Sequence, residues 1–209
     1  EYDLRKVLVG FNRRYYDFIP ELKELISSNK IISIDILSSE PFEMMNKENS
    51  LIDNMLFFYT IHIIDLMVYL FEEIEIKSVD TINCDGKKHY VVSLFSKRHN
   101  CPIHLKILLD VPQNSYIKVY TVDEVYQLLP LEKLTIINEM EKKISNGIST
   151  YGPKEKSSKY TTNLYKPGFL NQMKFFINNY IYNANTSNKD IETLYKTTRL
   201  CEILKENKE

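Results

Sequence analysis

"HYVVSLFSKRHNCPIHLKILLD", residues 89–110, decides the fold. Two runs rich in β-branched, aromatic and alternating apolar residues, 88–97 and 102–110, are separated by a few polar residues. No crossover helix fits between them, so the runs pair as antiparallel strands. The same spacing extends both ways and predicts strands at 74–82, 115–121, 123–129 and 132–139. These are punctuated by Asp85-Gly86, Pro102, Pro112-Gln113-Asn114 and Pro130. A meander of six strands is the expected centre of the chain.

Upstream, 5–10 ("RKVLVG") reads as a short buried strand closed by Gly10. Residues 15–27 read as an amphipathic helix through Phe18, Leu22, Leu25 and Ile26. "IISIDILSS" at 31–39 alternates with Ile32, Ile34 and Ile36 on one face, a further strand. Residues 40–54 carry turn formers without period, as expected of a mobile connection into a helix over 55–71. Downstream, 145–163 is polar and rich in Ser, Lys and Gly, which predicts a loop, either a lid or an excursion. Phe169, Leu170, Met173, Phe176, Ile177, Tyr180 and Ile181 then mark one helix, and about 188–206 a second with acids first and Lys205 last.

Helices at both ends of a large sheet give an α+β fold, an open and mostly antiparallel sheet with helices on one face. Its alternating apolar residues, among them Val91, Leu94, Ile103, Leu105 and Ile107, are expected to leave an apolar face for a two-fold partner to cover.

The 209 residues carry a net charge of −1, which provides no field for nucleic acid or an anionic membrane surface. No apolar run has the length of a membrane span. Cys84, Cys101 and Cys201 are far apart, without a C-x-x-C pair, so neither a disulfide framework nor a zinc site is expected, and a reducing cytoplasm is. The chain begins at Glu1, close to the first expected strand, which leads us to expect a segment ahead of it.

"TIHIIDLMVYL", 60–70, places two ionisable groups in a helix that is otherwise apolar nearly all round. His62, Asp65 and Tyr69 fall at i, i+3 and i+7 on one narrow stripe. Either His62 is a core histidine whose tautomer Asp65 fixes, or it faces a ligand, where an imidazole can take up a proton near neutral pH.

Three segments in order, "VLVGFNRRYYDFIPELKELI", "IHIIDLMVYLF" and "YKPGFLNQMKFFINNYI", resemble the C-terminal domain of the Gfo/Idh/MocA oxidoreductases, the glucose-fructose oxidoreductase and inositol dehydrogenase family. The resemblance covers nearly the whole chain. It implies an open mixed sheet that supplies the substrate site and the subunit interface, with a dinucleotide-binding domain ahead of it. With five glycines and no G-x-G-x-x-G, these residues contain no phosphate loop for NAD or NADP. The cofactor and the family's catalytic lysine, in a Glu-Lys-Pro motif, are therefore expected in that other domain.

The resemblance further implies that His62 faces nicotinamide and substrate, with Asp65 as its neighbour or orienter, and that a sugar, sugar nucleotide or cyclitol is the substrate. It also implies a homodimer or tetramer. Many members carry an aspartate four residues before the histidine, where this chain has Phe58. That departure keeps a second reading open, a binding or assembly module without dehydrogenase chemistry. "FNRR", between a strand and a helix, either carries arginines that are solvated or paired with surface acids or, as the resemblance implies, sets Asn12 and Arg13 beside the cleft with Arg14 as structural. In "YKPGF" Tyr165 and Lys166 are either substrate contacts or part of a helix entry with Pro167. His89, His99 and His104 have no partner at ligand spacing, and no metal is expected.

Overall fold

Ile34 and Ile36 lie at the centre of the molecule, both essentially without solvent contact. They belong to β1 (Ile31–Glu40), which is inserted between the two halves of the meander. In the computed structural model, residues 8–41, 43, 54–162, 164–182 and 189–206 are described. The sheet has eight strands in the order β2-β3-β4-β1-β5-β6-β7-β8. The others are β2 (Ile74–Cys84), β3 (Lys87–Ser96), β4 (Cys101–Leu109), β5 (Tyr116–Thr121), β6 (Val125–Leu128), β7 (Lys133–Ser145) and β8 (Ile148–Tyr160). β1 runs parallel to β4, with Ile34 opposite Ile103 and Ile36 opposite Leu105, and antiparallel to β5. Every other pairing is antiparallel, so the six strands of the expected meander and the strand expected at 31–39 are all present, and the sheet gains one more, β8, at its edge.

The β8 edge corrects the loop expected over 145–163. Asn146 and Gly147, both at positive φ (50° and 76°), form a two-residue hairpin turn that joins β7 to β8. Beyond residue 138 both faces of this hairpin are largely exposed, so no apolar alternation marks it as strand. Asp85-Gly86 turns β2 into β3 in the same way.

α1 (Ile19–Ser28) buries Ile19, Leu22 and Ile26. It begins later than residue 15, because Asn12–Tyr15 is a 3-10 turn and Asp17 is bound elsewhere: its carboxylate accepts from the Thr161 hydroxyl (2.9 Å), the Thr162 N–H (2.7 Å) and Asn171 Nδ2 (2.7 Å). Residues 8–10 are not a strand. The Val9 carbonyl instead accepts from the Phe11 N–H (2.8 Å) and Gln172 Nε2 (3.0 Å), while 5–7 lie outside the described residues. Glu40 closes β1, and most of the connection expected at 40–54 also lies outside them.

A π-wound turn, Leu56–Thr60, leads into α2 (Ile61–Phe71), which is buried almost all round between the sheet and α4 (Lys189–Glu206). α3 (Phe169–Phe176) runs on into a second π-wound turn, Ile177–Tyr182. The helices cover one face: Leu94, Ile103, Leu105 and Ile107 are buried beneath them, not on the open face as the sequence suggested. Strand alternation leaves Pro102, His104 and Lys106 exposed on the other face, beside Asp35 and Lys118 of neighbouring strands. That face is mixed in character, with Val91, Phe95, Tyr116 and Tyr120 half-buried among the charges.

Candidate functional site

The stripe of α2 divides. Asp65, 0% exposed, is gripped by Arg14, whose Nε donates to Oδ2 at 2.6 Å while Nη2 donates to Oδ1. Thr197 of α4 adds a hydroxyl at 3.3 Å. The Arg14 guanidinium in turn lies between the rings of Phe11 (5.4 Å) and Tyr69 (5.3 Å). A buried carboxylate takes the strongest bidentate counter-charge within reach, and arginine offers it with no loss of charge. Asp65 therefore ties the 3-10 turn, α2 and α4 together. None of these contacts is with His62, which the sequence suggested it orients or assists.

His62 meets a different environment. The edge-to-face ring of Phe11 lies 5.8 Å away, and Nδ1 is buried without a hydrogen-bond partner. Burial holds the imidazole below its ordinary pKa of 6.5, and the positive charges of Arg13 and Lys166 push it the same way. Nη1 of Arg13 is likewise buried and unpartnered, as is Oγ1 of Thr60, two residues before His62. Such atoms cost stability unless something binds them. At neutral pH the site presents an uncharged imidazole base flanked by two cations.

Asn12 has a structural task. Its Nδ2 donates to the Pro167 carbonyl (2.7 Å), and its own carbonyl oxygen lies 2.1 Å from where a Cβ on Gly168 would stand. Gly168, at φ +81°, is thus the residue that lets the 165–168 turn dock on the 12–15 turn and carry Lys166 into reach of His62. Lys166 itself is exposed, with Nζ 5.1 Å from the Phe169 ring centre. Tyr165 is 60% exposed, with no contact that draws it to the cluster. Phe58 is 54% exposed on the π-wound turn, so no carboxylate stands there.

Sequence reading missed Glu40. It is 8% exposed at the end of β1, accepts a hydrogen bond from the Ser38 hydroxyl (3.0 Å), and feels the charge of Arg13. Burial raises its pKa despite that hydrogen bond and the Arg13 charge. The only signal in the sequence was an acid closing an apolar strand. Tyr16, pushed up to about 12 by burial and the Glu132 charge, lies in the Arg13 field as well.

A cavity of about 520 Å³ opens at the end of β1, lined by Ser39, Pro41, Val111, Gln113, Ser115 and Leu129 among others. No titratable group lines it. His89 Nδ1 accepts from the Leu109 N–H (3.2 Å), and His99 packs edge-on against Phe71. Among the described residues no three His, Cys, Asp or Glu side chains gather as metal ligands, and no helix is long and apolar enough to cross a membrane.

No family model and no curated protein matches the sequence. Solved structures do. A dehydrogenase (MviM) from Clostridium difficile is 22% identical over 94% of this chain and 61% of its own, with a TM-score of 0.64. The UDP-N-acetylglucosamine 3-dehydrogenase GnnA from Acidithiobacillus ferrooxidans is 14% identical over 96% and 64%, with a TM-score of 0.63. This chain has the fold of the Gfo/Idh/MocA C-terminal domain. The transcriptional regulator Gal80p from Kluyveromyces lactis shares it, at 14% identity over 94% and 59% with a TM-score of 0.64. The chain spans about 60% of the length of the structures it matches.

Proposed function

We propose that this chain is the substrate-binding and assembly half of an NAD- or NADP-dependent oxidoreductase acting on a sugar, sugar nucleotide or cyclitol in the cytoplasm. The observation that carries the reading is the pair of buried, unpartnered polar atoms, Arg13 Nη1 and His62 Nδ1, in a cluster with Lys166. Such a cluster fits the reacting end of a nicotinamide and a substrate hydroxyl, and the absence of a phosphate loop leaves the rest of the dinucleotide to another domain. A bound oxidised nicotinamide would accept the hydride. His62, uncharged at neutral pH, takes the hydroxyl proton, while Arg13 and Lys166 favour the developing negative charge on oxygen. Asn12 and Gly168 hold the two turns that position those cations.

A second reading, a module that binds or assembles without chemistry, is favoured by Phe58 and by the shared fold of Gal80p, described as a transcriptional regulator. Titration calorimetry bears on where the cofactor sits. We expect no NAD(H) or NADP(H) binding to these 209 residues tighter than about millimolar; a micromolar constant would place the dinucleotide site here and contradict the division of labour.

The open face supports assembly. Leu37, Val91, Phe95, Tyr116, Tyr120, Val125 and Ile137 are apolar or aromatic and largely half-buried there, interleaved with Asp35, His104, Lys106 and Lys118. A surface of that composition suits a two-fold partner. Sedimentation at tens of micromolar should give a dimer or a higher multiple of two; a monomer would remove this part of the proposal.

A further inference from the structure

The outer half of the β7–β8 hairpin is largely exposed on both faces, and the two faces differ in chemistry. Register sorts them. Ile137 lies opposite Glu155 and Glu139 opposite Lys154, so Asn138 is an extra residue on β7, while β8 runs without interruption from Glu155 to the turn. Pro153 and Tyr151 therefore share the face of Glu155, which is the face of its partner Ile137, the open side of the sheet. Their own partners, Met140 and Lys142, come to the same side, and Ile144 follows by alternation. The opposite side holds Glu139, Glu141, Lys143 and Lys154, whose charges pair within the hairpin: Lys154 Nζ is 2.8 Å from Glu139 and Lys143 Nζ 2.7 Å from Glu141.

The apolar row is left to solvent. Met140, Ile144 and Tyr151 are 68%, 70% and 71% exposed, a strip of roughly 400 Å², on the scale of the largest apolar patch an ordinary monomer shows. Lys142, within the row, can lay its aliphatic stem along it and keep its ammonium in water. A two-stranded ribbon with neither face packed is marginal in water, yet residues 139–145 carry this one about 20 Å beyond the bulge. What covers the row is indicated by its position: it continues the side of Val125 and Ile137, the half-buried apolar residues of the open face. Its area is also about half of the ~800 Å² that a standard interface takes from each partner. We propose that the β7–β8 hairpin is an arm that packs on a second copy of this chain, with Met140, Ile144, Tyr151 and Pro153 against the partner and the ion-paired side toward water. The inference rests on the open face as a two-fold interface and names the element that extends that interface past the sheet.

The test is sedimentation of the 209-residue chain and its variants at tens of micromolar and below. Ile144→Glu with Tyr151→Glu should raise the dimer dissociation constant at least about thirtyfold, the worth of one interface hot spot. Thr150→Glu, placed opposite Lys143 on the ion-paired side, should leave it unchanged. Wild type gives an independent reading that needs no variant: amide hydrogen exchange over 139–152 should slow as the concentration rises through the dimer range. A dimer that forms with the same constant in the Ile144→Glu, Tyr151→Glu variant, with no slowing of exchange in the hairpin, overturns the arm and leaves the open-face interface standing. Equal weakening by Thr150→Glu overturns the assignment of the buried side. A wild type that stays monomeric overturns the arm and the interface together.

Discussion

Asp65→Ala is expected to destabilise the chain by about 3–5 kcal/mol, the cost of leaving a buried charge without its partner. Arg14 is 7% exposed and held between Phe11 and Tyr69, so the guanidinium stays largely out of water when its carboxylate is removed. Thr197 loses an acceptor at the same time, and with it a tie between α2 and α4. Arg14→Met should cost a comparable amount by stranding Asp65. The double change Asp65→Leu with Arg14→Met should recover much of the loss, because an apolar pair of similar volume escapes the desolvation that two ions suffer. Urea unfolding of the four proteins measures all of this. Single changes that cost less than about 1 kcal/mol would mean that the pair is not the buried clamp described.

The second large effect is on turnover. In the protein that carries a dinucleotide-binding domain with these residues, His62→Ala should lower kcat at least about 100-fold, the usual contribution of a positioned acid–base group, with KM changed far less. The imidazole is the one group in the cluster that is uncharged at neutral pH and free at Nδ1 to take a proton. Its removal strands no hydrogen-bond partner at that atom, so stability should hardly move. The reverse outcome, normal turnover with a melting temperature several degrees lower, would make His62 a core residue. It would also favour the assembly module over the enzyme.

What could be read from the sequence follows from periodicity. The meander was legible because β3 and β4 alternate buried positions with half-buried or exposed ones, and that alternation survives in the letters. The outer halves of β7 and β8 bury neither face, so period gave no signal, and only Asn146-Gly147 marked the turn. Helical spacing put His62 and Asp65 on one stripe, but spacing along one helix says nothing of what packs opposite. Arg14, 51 residues from Asp65, decided that. Asn12 and Gly168 illustrate the same limit: the docking of one turn on the other joins residues far apart in sequence. Glu40 was hidden because a strand-closing acid is ordinarily exposed and solvated.

The central claim is that His62 is retained for a ligand at a cost to the fold. Its depressed pKa fixes the sign of the pH effect. Below about pH 6.5 the unfolded chain binds a proton that folded His62 refuses, so this residue's contribution is lost as pH falls through the folded pKa. His99, lowered by burial and Arg98, titrates in the same sense in any variant at position 62 and cancels from the difference. The direct measurement is the unfolding free energy of wild type and His62→Leu from about pH 8 to about pH 5. The account predicts that leucine, with no buried nitrogen to desolvate, is as stable as histidine or more so by about 1 kcal/mol at neutral pH, with an advantage that grows as pH falls. A leucine variant that is less stable by more than about 1 kcal/mol across that range would contradict it, since histidine would then belong to the core.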